Sequence, residues 1–249
     1  MSRPRVLVVR SGANPFHSFG GSPKVEIVER VSHAIEPVDV PAEAFEGKAD
    51  LALFTSRVAV ERVLGDARLA PPFRRCVETG RIVAVGRATE EALRSWDLPP
   101  DLVAAGSGES MLERLPGRLE GQRVVFPCGE DASLEVSEGL RARGAVVERL
   151  VVYRKVPNPP DPALGREIIE APFAAFCTTS PSAARWLFTG LPQTATERLR
   201  RTPAVTLGPF TRRYLESHGV QRIEVTEEAR FRSAAAALEA LASATVEKA

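Results

Sequence analysis

Cysteine is scarce in this chain, and so are histidine and tyrosine. Cys76, Cys128 and Cys177 make an odd number with no Cys-x-x-Cys pair, which argues against a disulfide framework or a zinc site. Cys177 lies in an apolar run and reads as a buried thiol. His17, His33 and His218 are scattered in no metal-ligand spacing. No apolar run approaches the roughly 20 residues that span a bilayer. Met1-Ser2-Arg3-Pro4 moves straight into a strand-like run without an apolar leader, so the expected setting is a reducing cytoplasm. An excess of one charge is also missing: 33 Lys+Arg against 32 Asp+Glu give +1, whereas nucleic-acid binders are usually strongly basic. There is no G-x-G-x-x-G, Walker loop, H-E-x-x-H or G-x-S-x-G, and no pair of carboxylates is singled out by spacing. The expectation is a protein with no cofactor, no metal, no membrane contact and no covalent serine chemistry.

What is present is ordinary globular composition, 44% hydrophobic and 26% charged over 249 residues, enough for two domains of about 100–150 residues. The chain also repeats itself. Asp50-Leu51-Ala52-Leu53-Phe54-Thr55-Ser56-Arg57-Val58-Ala59-Val60 is echoed by Phe173-Ala174-Ala175-Phe176-Cys177-Thr178-Thr179-Ser180-Pro181-Ser182-Ala183-Ala184. Ile82-Val83-Ala84-Val85-Gly86-Arg87-Ala88-Thr89 is echoed by Ala204-Val205-Thr206-Leu207-Gly208-Pro209-Phe210-Thr211. Thr55 and Thr179 are 124 positions apart and Thr89 and Thr211 are 122 apart. So long a period means two similar α/β units, not a solenoid of about 20–50-residue repeats. Two similar lobes imply a cleft between them, the usual place for a small ligand.

Along the chain, Arg5–Arg10 reads as a buried strand and Ser11–Pro23, with its Gly and Pro, as a loop. Val25–Ala34 reads as a short helix from Val25, Val28, Val31 and Ile35, followed by an extended Glu36–Pro41. Strands are expected at 51–54, 82–85, 102–105, 124–126, 146–153, 173–177, 204–207 and 222–225. Helices are expected at 58–64, 89–96, 111–115, 133–143, 163–169, 182–188, 211–217 and 233–242, with Gly144 and Gly219 as stops. Such alternation predicts parallel sheets covered by helices. Trp96 and Trp186 fall on helix faces and read as core, while Arg87 reads as solvated. Val156-Pro157-Asn158-Pro159-Pro160-Asp161-Pro162 reads as a stiff linker. The later unit is short of a strand and Arg5–Arg10 is spare. The economical division is one discontinuous lobe of 1–36 plus 157–249 and a second lobe of 37–156, with linker strands near 36–41 and 150–157.

The chemistry is expected at the starts of helices that follow strands. There Ser and Thr cap free N–H groups, and the same groups bind anions at the edge where open α/β sheets take ligands. This nominates Thr55, Ser56, Thr179, Ser180 and Ser182, and one strand along Gly86, Thr89, Gly208 and Thr211. Four such starts suit a ligand with several carboxylates or phosphates. Arg10 ends the first strand at the same edge, as an anion contact or a surface residue. Tyr153, one of two tyrosines, ends a strand before the linker; it reads as a packing residue or as a donor to the ligand.

Taken together, Phe54-Thr55-Ser56-Arg57-Val58-Ala59-Val60, Val85-Gly86-Arg87-Ala88-Thr89, Phe126-Pro127-Cys128-Gly129, Val152-Tyr153, Thr179-Ser180-Pro181-Ser182, Leu207-Gly208-Pro209-Phe210-Thr211 and Thr226-Glu227 resemble the uroporphyrinogen-III synthase family. The resemblance spans about residues 50–245. It implies two flavodoxin-like lobes on a two-stranded linker and a cofactor-free enzyme that acts on a linear tetrapyrrole. That enzyme closes hydroxymethylbilane to uroporphyrinogen III, inverting ring D through a spiro intermediate with loss of water. It makes Tyr153 the candidate acid for the departing hydroxyl. The expected protein is a monomer that touches the preceding pathway enzyme only transiently. The competing readings are a non-catalytic two-lobed module for a polyanionic metabolite and a phosphate-ester enzyme, which lacks a metal-binding carboxylate cluster.

Overall fold

The computed structural model describes residues 3–12, 24–104, 108–159, 161–226 and 231–246. Its strands are β1 (Arg5–Ser11), β2 (Glu26–Pro37), β3 (Leu51–Phe54), β4 (Arg81–Val85), β5 (Leu102–Ala104), β6 (Arg123–Gly129), β7 (Val146–Pro157), β8 (Ala175–Thr178), β9 (Ala204–Thr206) and β10 (Ile223–Val225). Its helices are α1 (Arg57–Leu64), α2 (Ala70–Cys76), α3 (Arg87–Ser95), α4 (Gly108–Arg114), α5 (Leu134–Arg141), α6 (Pro162–Glu170), α7 (Pro181–Gly190), α8 (Gln193–Arg201), α9 (Pro209–Ser217) and α10 (Phe231–Val246). The backbone falls into two compact units: unit 1 is Met1–Ile35 with Val156–Ala249, and unit 2 is Glu36–Lys155.

Unit 1 begins with β1, whose Val6–Val9 are wholly inaccessible to solvent. A β-branched run buried on both faces is what a central parallel strand requires. β1 pairs in parallel with β2 on one side and β8 on the other, and the sheet continues through β9 to β10. Numbered along the unit, the order is 2-1-3-4-5, a doubly wound sheet. Leu7, Val9 and Phe176 pack with α6, α7, α8 and α9 on one face. Val6, Val8, Ala175 and Cys177 pack with Ala234, Leu238 and Leu241 of α10 on the other.

Unit 2 has the order β7-β6-β3-β4-β5, parallel throughout the paired residues. Strand for strand this is the unit 1 arrangement, with β7, β6, β3, β4 and β5 standing where β2, β1, β8, β9 and β10 stand. Leu51, Leu53 and Phe126 face α4 and α5. Phe54 turns to the opposite face, where its ring meets Phe73 edge-on, as does Phe45.

Two expectations need correction. The helix expected over Val25–Ala34 is strand β2. Its Val25, Val28, Val31 and Ile35 fit a helical face, but β-branched residues suit a strand as well, and β1 pairs with it from Arg5↔Glu26 to Arg10↔Val31. The charges that disguise it as a surface helix are answered locally, Glu29 by Arg10 at 2.9 Å and Arg30 by Asp161 at 2.9 Å. Trp96 is not core: it lies just past the last turn of α3, 37% exposed, while Leu93 takes the inward position. Trp186 is buried, and its Nε1 donates to the Asn158 carbonyl at 2.8 Å.

Helices α2 and α8 have no counterpart in the sequence reading. Pro71 and Pro72 discourage a helix on inspection, yet they occupy the first turn of α2, where an N–H has no intrahelical acceptor. The loop expected over Ser11–Pro23 lies, from residue 13 onward, outside the described residues, and so does Glu227. No described helix is long and apolar enough to cross a membrane, and no group of three or more His, Cys, Asp or Glu among the described residues could hold a metal ion.

Candidate functional site

In a doubly wound sheet the crevice opens at the carboxyl ends of the two strands from which the chain departs in opposite directions. In unit 1 these are β1 and β8; in unit 2 they are β6 and β3. The repeated Thr-Ser pairs follow β8 and β3, so each unit places one of them at its own switch point.

In unit 2, Ser56 caps α1: its backbone is extended and its Oγ accepts from the Val58 N–H at 3.2 Å. The same Oγ lies 3.0 Å from the Tyr153 hydroxyl. Tyr153 is 4% exposed, and its register partner is Gly129, at a bulge between Cys128 and Gly129. The tyrosine ring covers the Gly129 backbone: a Cβ there would stand 2.7 Å from Cζ and 2.8 Å from the hydroxyl oxygen. Burial pushes the phenol above its ordinary range, with Ser56 and Lys155 opposing and Asp131 and Cys128 assisting. Tyr153 is therefore neutral at physiological pH. Thr55 is half-buried between β3 and Ser56.

In unit 1, Ser180 caps α7 and accepts from the Ala183 N–H at 3.2 Å. Its hydroxyl is 3.0 Å from that of Ser182, and Ser11 at the end of β1 approaches the two at 3.5 and 3.4 Å. Thr179 donates its backbone N–H to the Val9 carbonyl. Three hydroxyls thus converge where the helix start already supplies partial positive charge, a cradle for an anionic oxygen.

The second pair of helix starts is built differently. Gly86 precedes α3 at φ +80°, a conformation that disfavours a side chain, and Gly208 precedes α9 in an extended conformation. Thr89 and Thr211 are each 3% exposed, so their side chains face inward. Arg87 is an exposed partner of Glu91. Arg10 is buried, with Nε on Glu29 at 2.9 Å and Nη1 on the Gly12 carbonyl at 2.7 Å; these bonds tie the end of β1 to its surroundings.

Several residues around the unit 2 site escaped the sequence reading. Arg149 Nη2 reaches the carbonyls of Gly129 at 3.1 Å and Glu130 at 2.8 Å, and Lys155 holds Asp131 at 2.8 Å. Arg149, Tyr153 and Lys155 stand four and two positions apart on β7, and all three reach the end of β6 or the turn that follows it. That spacing is visible in the sequence; what the side chains grip is not.

Similarity to known proteins accords with this architecture. A curated protein of Methanothermobacter thermautotrophicus named "Putative uroporphyrinogen-III synthase" is 28% identical over 211 residues, 81% of each chain. A mutant uroporphyrinogen III synthase from the extremely thermophilic bacterium Thermus thermophilus superposes with a TM-score of 0.68 at 22% identity, covering 98% of this chain and 100% of that one. The uroporphyrinogen-III synthetase of Helicobacter pylori does so at 0.63 and 15% identity, over 96% and 100%. These structures share the fold. The family described as uroporphyrinogen-III synthase HemD matches residues 11–236, and with about nine-tenths of its length inside that match the chain belongs to the uroporphyrinogen-III synthase family of enzymes.

Proposed function

We propose that this chain closes hydroxymethylbilane to uroporphyrinogen III, with ring D inverted. The substrate is flexible and carries many carboxylates, so it needs N–H and hydroxyl donors more than one strong nucleophile. The Ser11–Ser180–Ser182 hydroxyls and the helix starts after Thr55, Thr179, Gly86 and Gly208 are donors of that kind. The observation that carries the catalytic reading is the Tyr153 phenol, buried, kept protonated and held by Ser56 at the end of its unit's sheet.

Tyr153 would give its proton to the departing hydroxymethyl oxygen, which leaves as water. The electrophilic azafulvene left behind is attacked by the substituted carbon of ring D, forming a spiro intermediate that fragments and recloses. The protein's remaining task is to hold the chain folded so that direct, uninverted closure is slower.

The test is to incubate the purified protein with fresh hydroxymethylbilane, oxidise the products and separate the uroporphyrin isomers. Isomer III as the main product is expected. Isomer I from folded protein would remove the enzymatic reading and leave a binding module. Tyr153→Phe is expected to lower kcat by about 10²-fold, the low end for a general acid. Full rate in that variant would remove the acid role alone.

A further inference from the structure

We propose that Ser56 acts through Tyr153, as the donor that turns the phenol's own proton outward, and not by gripping substrate. The inference rests on the reading of Tyr153 as the acid. Two hydroxyl oxygens 3.0 Å apart share one hydrogen bond, so only one of them donates. If Tyr153 donates, its proton is consumed within the pair and cannot reach a leaving group. If Ser56 donates, the phenol proton is free.

The surroundings favour Ser56 as donor. Its oxygen already accepts from the Val58 N–H at the start of α1, and the partial positive charge of that helix end weakens the oxygen as an acceptor and strengthens the hydroxyl as a donor. The arrangement also fits the state after proton transfer. A phenolate needs a donor, and a serine hydroxyl already aimed at it needs no reorganisation.

Gly129 fixes the distance. With 2.7 Å between the place of a Cβ and the ring's Cζ, only the bare backbone lets the phenol lie there. The turn that carries Gly129 is pinned to β7 by Arg149 on the Gly129 and Glu130 carbonyls, by the Glu130 N–H on the Tyr153 carbonyl at 3.0 Å, and by Lys155 on Asp131. The charged and titratable groups that act on the phenol are Lys155 from β7, Asp131 from the turn and Cys128 from β6.

Tyr153 and Tyr214 are the only tyrosines, so in a Tyr214→Phe background the ultraviolet phenolate band reports Tyr153 alone. Ser56→Ala is expected to move that titration to higher pH and to lower kcat about tenfold, the worth of one hydrogen bond, with KM nearly unchanged. Ser56→Thr should restore both. Ser133→Ala removes an exposed cap of the same kind from α5 and should move neither. An unmoved titration in Ser56→Ala overturns the proposal, and so does a shift to lower pH, which would make Tyr153 the donor. A rise in KM alone would return Ser56 to substrate binding. Should Tyr153→Phe keep its full rate, the acid reading falls while the titration still shows which hydroxyl donates.

Discussion

At the end of β1 stands Ser11; at the matching end of β6, 118 positions later, stands Gly129. Both follow a register shift, and their partners across the ladder are His33 and Tyr153, 120 positions apart. The capping serines, Ser180 and Ser56, match as well. In unit 1 the serine at the strand end adds its hydroxyl to two others, while the end of β1 is tied to β2 by Arg10 on Glu29, by the Ser32 hydroxyl on the Arg10 carbonyl and by the Gly12 N–H on the His33 carbonyl. In unit 2 the absent side chain at the strand end is replaced by a phenol ring from the next strand. One frame therefore yields a cluster of hydroxyls in one unit and a single buried phenol in the other. The residue that decides between them has no chemistry of its own in unit 2.

Exchanging that residue should have the largest effect. Gly129→Ser writes the unit 1 residue into unit 2 and sets its Cβ against Tyr153. The ring must move, so kcat should fall about as far as in Tyr153→Phe, roughly 10²-fold, and overpacking should cost about 1–3 kcal/mol. Steady-state kinetics with urea unfolding would check it. Unaltered kcat would mean that the seat of Tyr153 is irrelevant to turnover.

The likeness of the two units is legible because strand, Thr-Ser and helix recur in order at nearly constant offsets. Its full extent is not. The equivalence of β2 and β7 is hidden because the matching stretches, Glu26-Ile27-Val28-Glu29-Arg30 and Val146-Val147-Glu148-Arg149-Leu150, share no residue position for position. Read alone, the first looks like a helix; β1 makes it a strand. The site is half legible for a related reason. Ser56, Ser180 and Ser182 announce themselves as residues of helix starts, since capping is local. Ser56 and Tyr153 lie 97 residues apart, and nothing local states that they meet. Gly129 stands in plain view after a strand, but its use depends on a ring from β7.

The caps sharpen the comparison at the next level. Ser180→Ala should destabilise by about 1 kcal/mol, as loss of an N-cap does. If unit 1 supplies binding, KM should rise several-fold with kcat held, the reverse of the pattern expected for Ser56→Ala. Equal patterns in the two variants would mean that both serines are caps and nothing more.

A smaller contrast lies beneath the caps. Thr178 of unit 1 occupies the place of Phe54 in unit 2, and its Oγ1 is buried with no hydrogen-bond partner among the described residues. Phe54 completes an aromatic cluster; Thr178 sets a hydroxyl in an apolar layer. Thr178→Val keeps the shape and removes the unsatisfied group, so stability should rise by about 1 kcal/mol. A loss of stability in urea unfolding would show that the hydroxyl has a partner in solution.

The last contrast is silent at neutral pH. Cys177 of unit 1 is wholly buried, and among the described residues no charge relieves that burial, which pushes the thiol from 9.0 up to about 12. Cys128 of unit 2 is also raised by burial, but Arg149 opposes the shift. Below the unfolded value both states keep the proton and stability does not depend on pH. Above it the unfolded thiol ionises while the folded one does not, so stability falls as pH rises from about 9 through about 12. Tyr153 and Tyr214, also raised, add to the fall above their ordinary value of about 10. Cys177→Ala should cost a constant amount for its lost sulfur and flatten the alkaline slope; Cys128→Ala should flatten it less. Urea midpoints measured from about pH 7 to about pH 11 would separate the constant from the slope. Equal slopes in the two variants would mean that Arg149 gives Cys128 no relief, and that the two units bury their thiols alike.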